Sequence, residues 1–290
     1  MKLKQKSIPY LFLIPIFVSV ALFRYVPTFM AIFRSFFYWD GRNISKFIGF
    51  SNYIDLINDG VFIKSLKNIL VFSGVRLVFI ILFSFVAAEL IYNLNSKKWS
   101  YRWKVLFVAP MVVPWTVTLL IWQFIYSPQV GMLNNLLNSF GLDFLTQAWL
   151  GNSSTALISV AMVQFPFVAT IQFLIIVSGL QNIPEAVKES AILDGATTIR
   201  RIISIDIPIL KPQLILASLL TLINSFQRFA IFQVLTKGGP GNATQVPGYY
   251  LYQNAFNYGR FGYASAIGVI LMLMLLAISY FNIRNMNSEL

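Results

Sequence analysis

The residues that could perform catalysis are few in this chain, which has no histidine and no cysteine among its 290 residues. Their absence excludes thiol nucleophiles, disulfides, and zinc or iron–sulfur sites built on those side chains. The remaining candidates are carboxylates, amides, tryptophans and arginines. We therefore expect no catalytic, cofactor-binding or metal site here, and we expect any hydrolytic chemistry to belong to a partner.

The carboxylates concentrate in residues 181–211, where four acids are balanced by four basic residues. This balance is unlike a polybasic lipid-binding loop and favours a protein partner. Glu185 and Glu189 lie four residues apart and repel each other on a helix, while Ala186, Ser190 and Ala191 are small enough for another backbone to approach closely. The alternative is an amphipathic connector that packs on its own bundle.

A second group of polar residues lies within or beside the apolar runs, where such residues indicate a cavity or a partner helix. Amides, a guanidinium and an aromatic ring suit a neutral polyol such as a sugar. Each amide could equally hydrogen-bond to a neighbouring helix. The possible pathway residues are Trp115, Gln123, Gln164, Gln172, Asn224, Gln227 and Arg228.

The composition indicates a membrane protein. Hydrophobic residues make up 57% of the chain and charged residues only 11%, less than half the usual share in a soluble protein. A soluble enzyme is therefore excluded. The net charge of +12 could suggest nucleic acid, but many of the cations flank apolar runs, so we expect no nucleic-acid partner.

Six apolar runs are each long enough for a helix that crosses a bilayer. The first follows three lysines but is too long for a signal peptide and has no small-residue cleavage site after it, so it should remain as a span. The sequence predicts an all-α membrane protein with six transmembrane helices in a single domain, residues 1–290. The runs are residues 8–33, 69–94, 105–126, 155–180, 212–235 and 262–283.

The basic residues predict the orientation. With six spans both termini share one side, and placing them in the cytoplasm puts more than half of the 22 basic residues on that side, as the positive-inside rule requires. The first outer loop is then residues 36–68, a solvated excursion with turns rather than a hairpin. Residues 132–140 should form an amphipathic helix at the outer surface, and residues 236–261 form the last outer loop.

The inner segment, residues 181–211, predicts two helices around a turn. Asn182 could cap the first, which should continue to about Leu193. Gly195 accepts the left-handed conformation that ends a helix. Thr197 or Thr198 could cap the second helix.

This segment also carries the most specific motif. Glu189-Ser190-Ala191, then Gly195, then Ile205-Asp206-Ile207-Pro208 resembles the cytoplasmic-loop motif of ABC importer permeases: Glu-Ala-Ala, three residues, Gly, nine residues, Ile-x-Leu-Pro. The spacing matches throughout. Ser190 replaces an alanine and Ile207 a leucine, and both departures are mild.

Within that family the chain is similar to the maltose-type carbohydrate permeases over nearly its whole length. The resemblance rests on several short segments in the family's order. They are residues 10–15 (YLFLIP), 38–41 (YWDG), 50–53 (FSNY), 109–122 from Ala-Pro to Trp, 131–134 (GMLN), 183–196 from Ile-Pro to Asp-Gly-Ala, and 235–241 (LTKGGPG).

The resemblance implies a mechanism. A second, similar permease chain would pair with this one as a heterodimer around a pathway for a sugar, with an oligosaccharide the favoured cargo. Two cytoplasmic ATPase subunits would bind ATP and magnesium, since this chain lacks a phosphate-binding loop motif, and an extracytoplasmic solute-binding protein would deliver the sugar. The protein would then reside, multi-pass and in contact with lipid, in a bacterial or archaeal cytoplasmic membrane.

The resemblance also implies residue roles. The inner segment would couple to an ATPase, with Glu189 as the motif acid, and the turn-rich start of the last outer loop would contact the binding protein or act as a gate, unless it is an ordinary connection. The coupling residues would be Glu185, Glu189, Ser190, Ala191, Asp194, Gly195 and Ala196. The loop residues would be Gly238, Gly239, Pro240 and Gly241.

Three charged residues in the spans leave another function open. We expect Arg24 and Arg76 to snorkel towards the outer surface and Glu89 to have a structural role near the inner end of the second span. The alternative is a secondary transporter driven by an ion gradient through Glu89, with no ATPase partner. That class predicts inverted repeats and a midplane acid, and the sequence shows neither clearly.

Overall fold

The structure is a computed structural model that describes residues 2–166 and 168–287. The chain divides into two compact units. Unit 1 comprises Met1–Ile63 and Tyr250–Leu273, and unit 2 comprises Lys64–Tyr249 and Met274–Leu290. Nearly all regular structure in the described part is helical, as the composition predicts.

The helices have the following bounds. They are α1 (Lys2–Val20), α2 (Val26–Arg34), α3 (Ser51–Asn58), α4 (Gly60–Tyr92), α5 (Lys97–Val108), α6 (Trp115–Ile125), α7 (Met132–Ser139), α8 (Ala156–Ala161), α9 (Thr170–Gln181), α10 (Glu185–Leu193), α11 (Thr198–Arg201), α12 (Ile207–Ile209), α13 (Lys211–Gln227), α14 (Ala230–Leu235), α15 (Pro247–Tyr252) and α16 (Phe261–Asn287). Wider π-type turns occupy Ala21–Tyr25, Ile202–Asp206 and Gln253–Asn257, and 3₁₀ turns occupy Ala109–Val112 and Asp143–Leu145. The two strands are β1 (Phe37–Trp39) and β2 (Ser45–Phe47).

Three helical stretches in the described part are long and apolar enough to cross a membrane: Phe12–Arg34, Gly60–Tyr92 and Phe261–Arg284. They correspond to the first, second and sixth predicted spans. The total rises to five if each of two bent helix pairs is one span. The pairs are Lys97–Val112 with Trp115–Ile125 and Thr198–Ile209 with Lys211–Gln227. The six-span arrangement therefore stays a prediction.

The fourth predicted span, residues 155–180, is not one continuous helix. Helix α8 ends at Ala161, and α9 begins only at Thr170. Between them Gln164 adopts a φ of 77°, a left-handed conformation that interrupts a helix. Pro166, which has no amide hydrogen, follows two residues later.

Unit 1 contains a hairpin that the sequence did not predict. Strands β1 and β2 pair antiparallel, with Phe37 opposite Phe47 and Trp39 opposite Ser45. The buried Asn52 side chain donates to the backbone oxygens of Ser35, at 2.8 Å, and Phe37, at 3.0 Å. The prediction that residues 36–68 form a loop without a hairpin was wrong. The side chain of Asn52 in α3 holds the backbone at the start of β1, and each strand of the hairpin is only three residues long.

Unit 1 also exposes a long apolar surface. Along α1 and the π-type turn, Phe12, Phe17 and Phe23 have 77%, 68% and 79% of their surface exposed. A soluble monomer rarely leaves so much contiguous apolar area in water. This surface fits contact with lipid or with another hydrophobic helix.

Unit 2 has an apolar core where α4, α9 and the start of α13 meet. Ala88 from α4 packs with Phe173 and Leu180 from α9 and with Leu210, which precedes α13, and all four are completely buried. Ile183, just beyond α9, belongs to the same cluster. The core therefore holds the point at which the chain leaves α9 for the inner segment.

Candidate functional site

A cavity of about 810 Å³ lies within unit 2, where several helices are interrupted. The break between α5 and α6 forms one wall, and the break between α8 and α9 forms another. The chain bends by 93° between α5 and α6, at Val113 and Pro114. Interrupted helices leave backbone groups free, which membrane proteins tolerate mainly where the backbone lines a cavity or is buried in protein.

The cavity brings together five of the seven residues predicted to form a pathway. The five that line it are Trp115, Gln164, Gln172, Asn224 and Arg228. Gln123 and Gln227 are exposed and are absent from the lining. Sequence position alone could not separate these two from the others, because the helix breaks decide which face meets the cavity.

Arg228 follows the last turn of α13 and stacks on an aromatic ring. Its guanidinium carbon lies 4.5 Å from the centre of the Trp115 ring, within the range of a cation–π contact. Trp115 is the first residue of α6 and directly follows Pro114, so the helix break sets the position of its ring. This pair gives one side of the cavity a cation resting on an aromatic face.

Arg76 is a cavity residue that the sequence reasoning assigned wrongly. It is only 4% exposed and lines the cavity, so it does not snorkel to the surface. Its Nη1 donates to the backbone oxygen of Val163 at 3.2 Å and its Nη2 to Oε1 of Gln164 at 3.3 Å. Its place midway along the apolar helix α4 was the available signal, because a snorkelling arginine should lie near a helix end.

The amides of the cavity have partners of their own. Gln172 is buried and donates to the hydroxyl of Thr221 at 3.0 Å. Asn224 donates to the backbone oxygen of Leu220 at 2.8 Å and remains exposed. Thr221 and Ser225, which also line the cavity, were not predicted. Both side-chain amides keep an oxygen with spare acceptor capacity and a second N–H, so they can still bind a hydroxyl.

The inner segment forms the predicted helix, turn and helix. Helix α10 runs from Glu185 to Leu193, and Gly195 follows with a φ of 70°. The Thr197 hydroxyl accepts from the backbone N–H of Arg200 at 3.3 Å, as a cap for α11. The Asn182 cap was wrong, because Pro184 occupies the position before the helix and no side chain caps it.

Most of the predicted coupling residues face outwards. Glu185, Glu189, Ser190, Asp194 and Gly195 are exposed, Ala196 is half-buried and Ala191 is buried. Beside them Ile192 and Leu193 expose 68% and 87% of their surface. The end of α10 therefore presents two large apolar side chains among acidic ones.

Residues 236–246 form a folded loop that is bound to α4. The Asn68 side chain donates to the backbone oxygens of Asn242, at 3.1 Å, and Gln245, at 2.8 Å. Lys64 Nζ donates to the oxygen of Gly241 at 2.8 Å. Inside the loop, the Thr244 hydroxyl donates to the oxygen of Gly239 at 2.7 Å. These bonds fix the loop in one conformation at the start of α4.

Comparisons with known proteins point to transport. The family described as "Binding-protein-dependent transport system inner membrane component" matches residues 80–288. The chain is 39% identical to the probable ABC transporter permease protein YurN of Bacillus subtilis over 97% of this chain and 96% of that protein. It is 31% identical to the diacetylchitobiose uptake system permease protein NgcF of Streptomyces coelicolor, over 89% and 76%.

A solved structure has the same fold. It is a bacterial ABC transporter involved in the import of the acidic polysaccharide alginate, and the TM-score is 0.86 at 22% identity. The match covers 99% of this chain and 97% of that chain.

Proposed function

The chain belongs to the family of binding-protein-dependent transport system inner membrane components, and from this premise we propose how its cavity and its inner segment serve sugar import. It is a multi-pass membrane permease of an ATP-driven importer that takes up a sugar from a binding protein. The observation that carries the proposal is the cavity at the helix breaks, where five polar and aromatic residues predicted for the pathway meet.

The cavity is the proposed passage for the sugar. Hydrogen bonds from Gln172 and Asn224 and the aromatic face of Trp115 match the hydroxyls and the ring faces of carbohydrates. An oligosaccharide is the favoured cargo. The passage would be closed on its other side by a second, similar permease chain, so the working unit is a heterodimer.

The inner segment is the proposed coupling element, facing the cytoplasm with both chain termini. Its exposed acids and the apolar tip at Ile192 and Leu193 suit a cleft on a cytoplasmic ATPase that also presents a cation. Two such subunits, which bind ATP and magnesium, would drive the cycle. In the 236–246 loop Gly241 is exposed, Gly239 is half-buried and Gly238 is buried, so the exposed end of the loop at Gly241 suits contact with the binding protein or gating.

A transport assay tests this function. The complete importer in proteoliposomes should take up sugar only with internal ATP and the binding protein. Glu189→Lys should lower uptake by about tenfold or more, because it reverses a charge at the ATPase contact. Gly195→Pro should uncouple ATP hydrolysis from uptake, because proline cannot adopt the φ of 70° found there. Uptake without any ATPase subunit would refute the proposal.

Asp143→Lys is the matched control, since it makes the same charge change at an exposed residue outside the inner segment. It should leave uptake and assembly unchanged. If Glu189→Lys also preserved both, the docking role of α10 would be wrong.

Because the chain lacks cysteine, the single substitutions Thr198→Cys and Asn43→Cys would report the orientation of the chain in the membrane. In intact cells an impermeant thiol reagent should label only Asn43→Cys.

A further inference from the structure

The charge of the cavity is positive and unbalanced. Arg76 and Arg228 both line it, and none of the described lining residues is an aspartate or glutamate. The two arginines are close enough for the charge of Arg228 to act on Arg76. The ion pairs found in the described part of the chain involve Arg201 instead. Two cations therefore line the same cavity, and no carboxylate among its described lining residues neutralises them.

The two arginines differ in how far their donors are used. Arg76 donates through both terminal nitrogens to Val163 and Gln164. Arg228 rests on Trp115, and its Nη1 is buried with no hydrogen-bond partner among the described residues. A buried donor left unsatisfied costs free energy, more so on a charged group. An anion in the cavity would satisfy that donor and offset the repulsion between the two guanidinium groups.

We propose that the cavity binds an anionic group of the transported sugar, with Arg228 as its principal donor and Arg76 as a second positive charge. The cargo is then an acidic saccharide that carries a carboxylate or a phosphate, whereas the amide inventory alone suggested a neutral polyol. Arginine presents a planar fork of donors that matches either group. The amides of Gln172 and Asn224 are left for the hydroxyls. This inference rests on the proposed function of the cavity as the passage.

The absence of cysteine allows the potential inside the cavity to be measured directly. Thr118 lines the cavity and is half-buried, so Thr118→Cys places one thiol there. With the complete importer in nanodiscs, we would measure the rates at which this thiol reacts with an anionic and with a cationic methanethiosulfonate. Each rate is divided by the rate of the same reagent with a free thiol in solution, and the two ratios are compared. The anionic reagent should react faster. Arg228→Gln should lower this preference by about tenfold, as expected when one charge is removed from a partly polar cavity.

Two controls make the result specific. Arg228→Lys keeps the charge and should keep the preference for the anionic reagent. Ser153→Cys lies on an exposed loop outside the cavity, and Arg228→Gln should not change its reactivity. A cationic preference at Thr118→Cys, or a preference that Arg228→Gln leaves unchanged, would overturn the proposal.

Protection of the same thiol tests the cargo. α-1,4-linked digalacturonate and glucose 6-phosphate represent the carboxylate and the phosphate, and α-1,4-linked digalactose is the uncharged control. At least one acidic probe should slow the labelling of Thr118→Cys more than digalactose does, and the stronger of the two identifies the group. Equal protection by all three, or none, would overturn the proposal. ATP-dependent uptake by the same importer in proteoliposomes tests the transport function separately, so a loss of transport would not be confused with a neutral cavity.

Discussion

Arg201 and Asp206 form an ion pair inside the inner segment, with Arg201 Nε 3.0 Å from Asp206 Oδ2. Asp206 is completely buried. The same guanidinium donates to Asn93, just beyond the end of α4, and lies 4.0 Å from Glu89 Oε2. One arginine therefore ties the inner segment to the end of α4, so a force on the segment would reach that helix.

Loss of this pair should destabilise the protein. Arg201→Gln leaves the buried Asp206 carboxylate without its cation, which costs about 3 kcal/mol in comparable buried pairs. The free energy of unfolding of the purified permease pair, from denaturant titration, measures the effect. Adding Asp206→Asn should recover part of the loss, because the buried charge is then removed. Arg200→Gln, at the exposed neighbouring position, should change the free energy little, and equal losses in the two variants would contradict this account.

Neutralising Glu89 should leave transport intact. Its Oε2 accepts from Asn93 Nδ2 at 3.1 Å, but its Oε1 is buried without a hydrogen-bond partner in the described structure. A weakly paired buried acid contributes little to stability, so Glu89→Gln should keep uptake within about twofold of the unmodified importer. ATP-dependent uptake by proteoliposomes, with and without a protonophore, is the measurement.

The same assay separates the two classes of transporter. Uptake that continues when the proton gradient is collapsed at constant ATP agrees with the family to which the chain belongs. Uptake that stops under those conditions, or that Glu89→Gln abolishes, would instead support a transporter driven through Glu89.

The sequence predicted those parts of the structure that depend on local chemistry. Helix α10 ends at Leu193 as expected, because Gly195 takes the left-handed conformation that a glycine accepts there. Thr197 caps the following helix with its hydroxyl. Helix α7, at Met132–Ser139, falls within the predicted amphipathic run. In each case neighbouring residues are enough to determine the structure.

The sequence failed where distant contacts decide. Apolar length cannot reveal the interruption at Gln164, because that backbone conformation accompanies a hydrogen bond from Arg76, 88 residues earlier in the chain. Arg76 was expected to snorkel although its place midway along α4 argued against this, and its burial depends on the same contact with Gln164. The sequence reasoning grouped Gln227 with Arg228 as pathway residues. Only Arg228 reaches the cavity, because α13 ends between the two residues.

Acid should weaken unit 1 through Asp59. Its carboxylate accepts from the hydroxyls of Tyr250, at 2.6 Å, and Tyr263, at 2.7 Å, and from the backbone N–H groups of Val61 and Phe62 at the start of α4. Burial alone would raise the pKa of Asp59, but these four hydrogen bonds together hold it below its ordinary value of 3.8. Because the pKa is lowered in the folded state, the stabilisation is fully present above pH 3.8 and is lost as the pH falls through the lowered pKa.

The midpoint of thermal unfolding, followed from about pH 2.5 to about pH 7, measures this effect because that range spans the titration of a carboxyl group. Asp59→Asn should lower the midpoint at neutral pH and reduce its fall in acid. Tyr250→Phe keeps the ring but removes one hydrogen bond to a charged group, for a loss of about 1.5–3 kcal/mol. A fall in acid that is as steep in Asp59→Asn as in the unmodified protein would assign the effect to other carboxylates.

Two glycines in the 236–246 loop should respond differently to the same substitution. Gly238 and Gly241 have φ values of 80° and 53°, so alanine at either position costs about 1–2 kcal/mol from backbone strain. At Gly238 the added methyl would also overlap Oε1 of the buried Gln245, whereas at Gly241 nothing lies within 4 Å of it. Gly238→Ala should therefore lose a further ~1–3 kcal/mol from overpacking and displace the backbone that Asn68 binds. Thermal unfolding and ATP-dependent uptake of the two variants should both rank Gly238→Ala as the more damaging, and equal effects would show that the packing of Gln245 does not hold the loop.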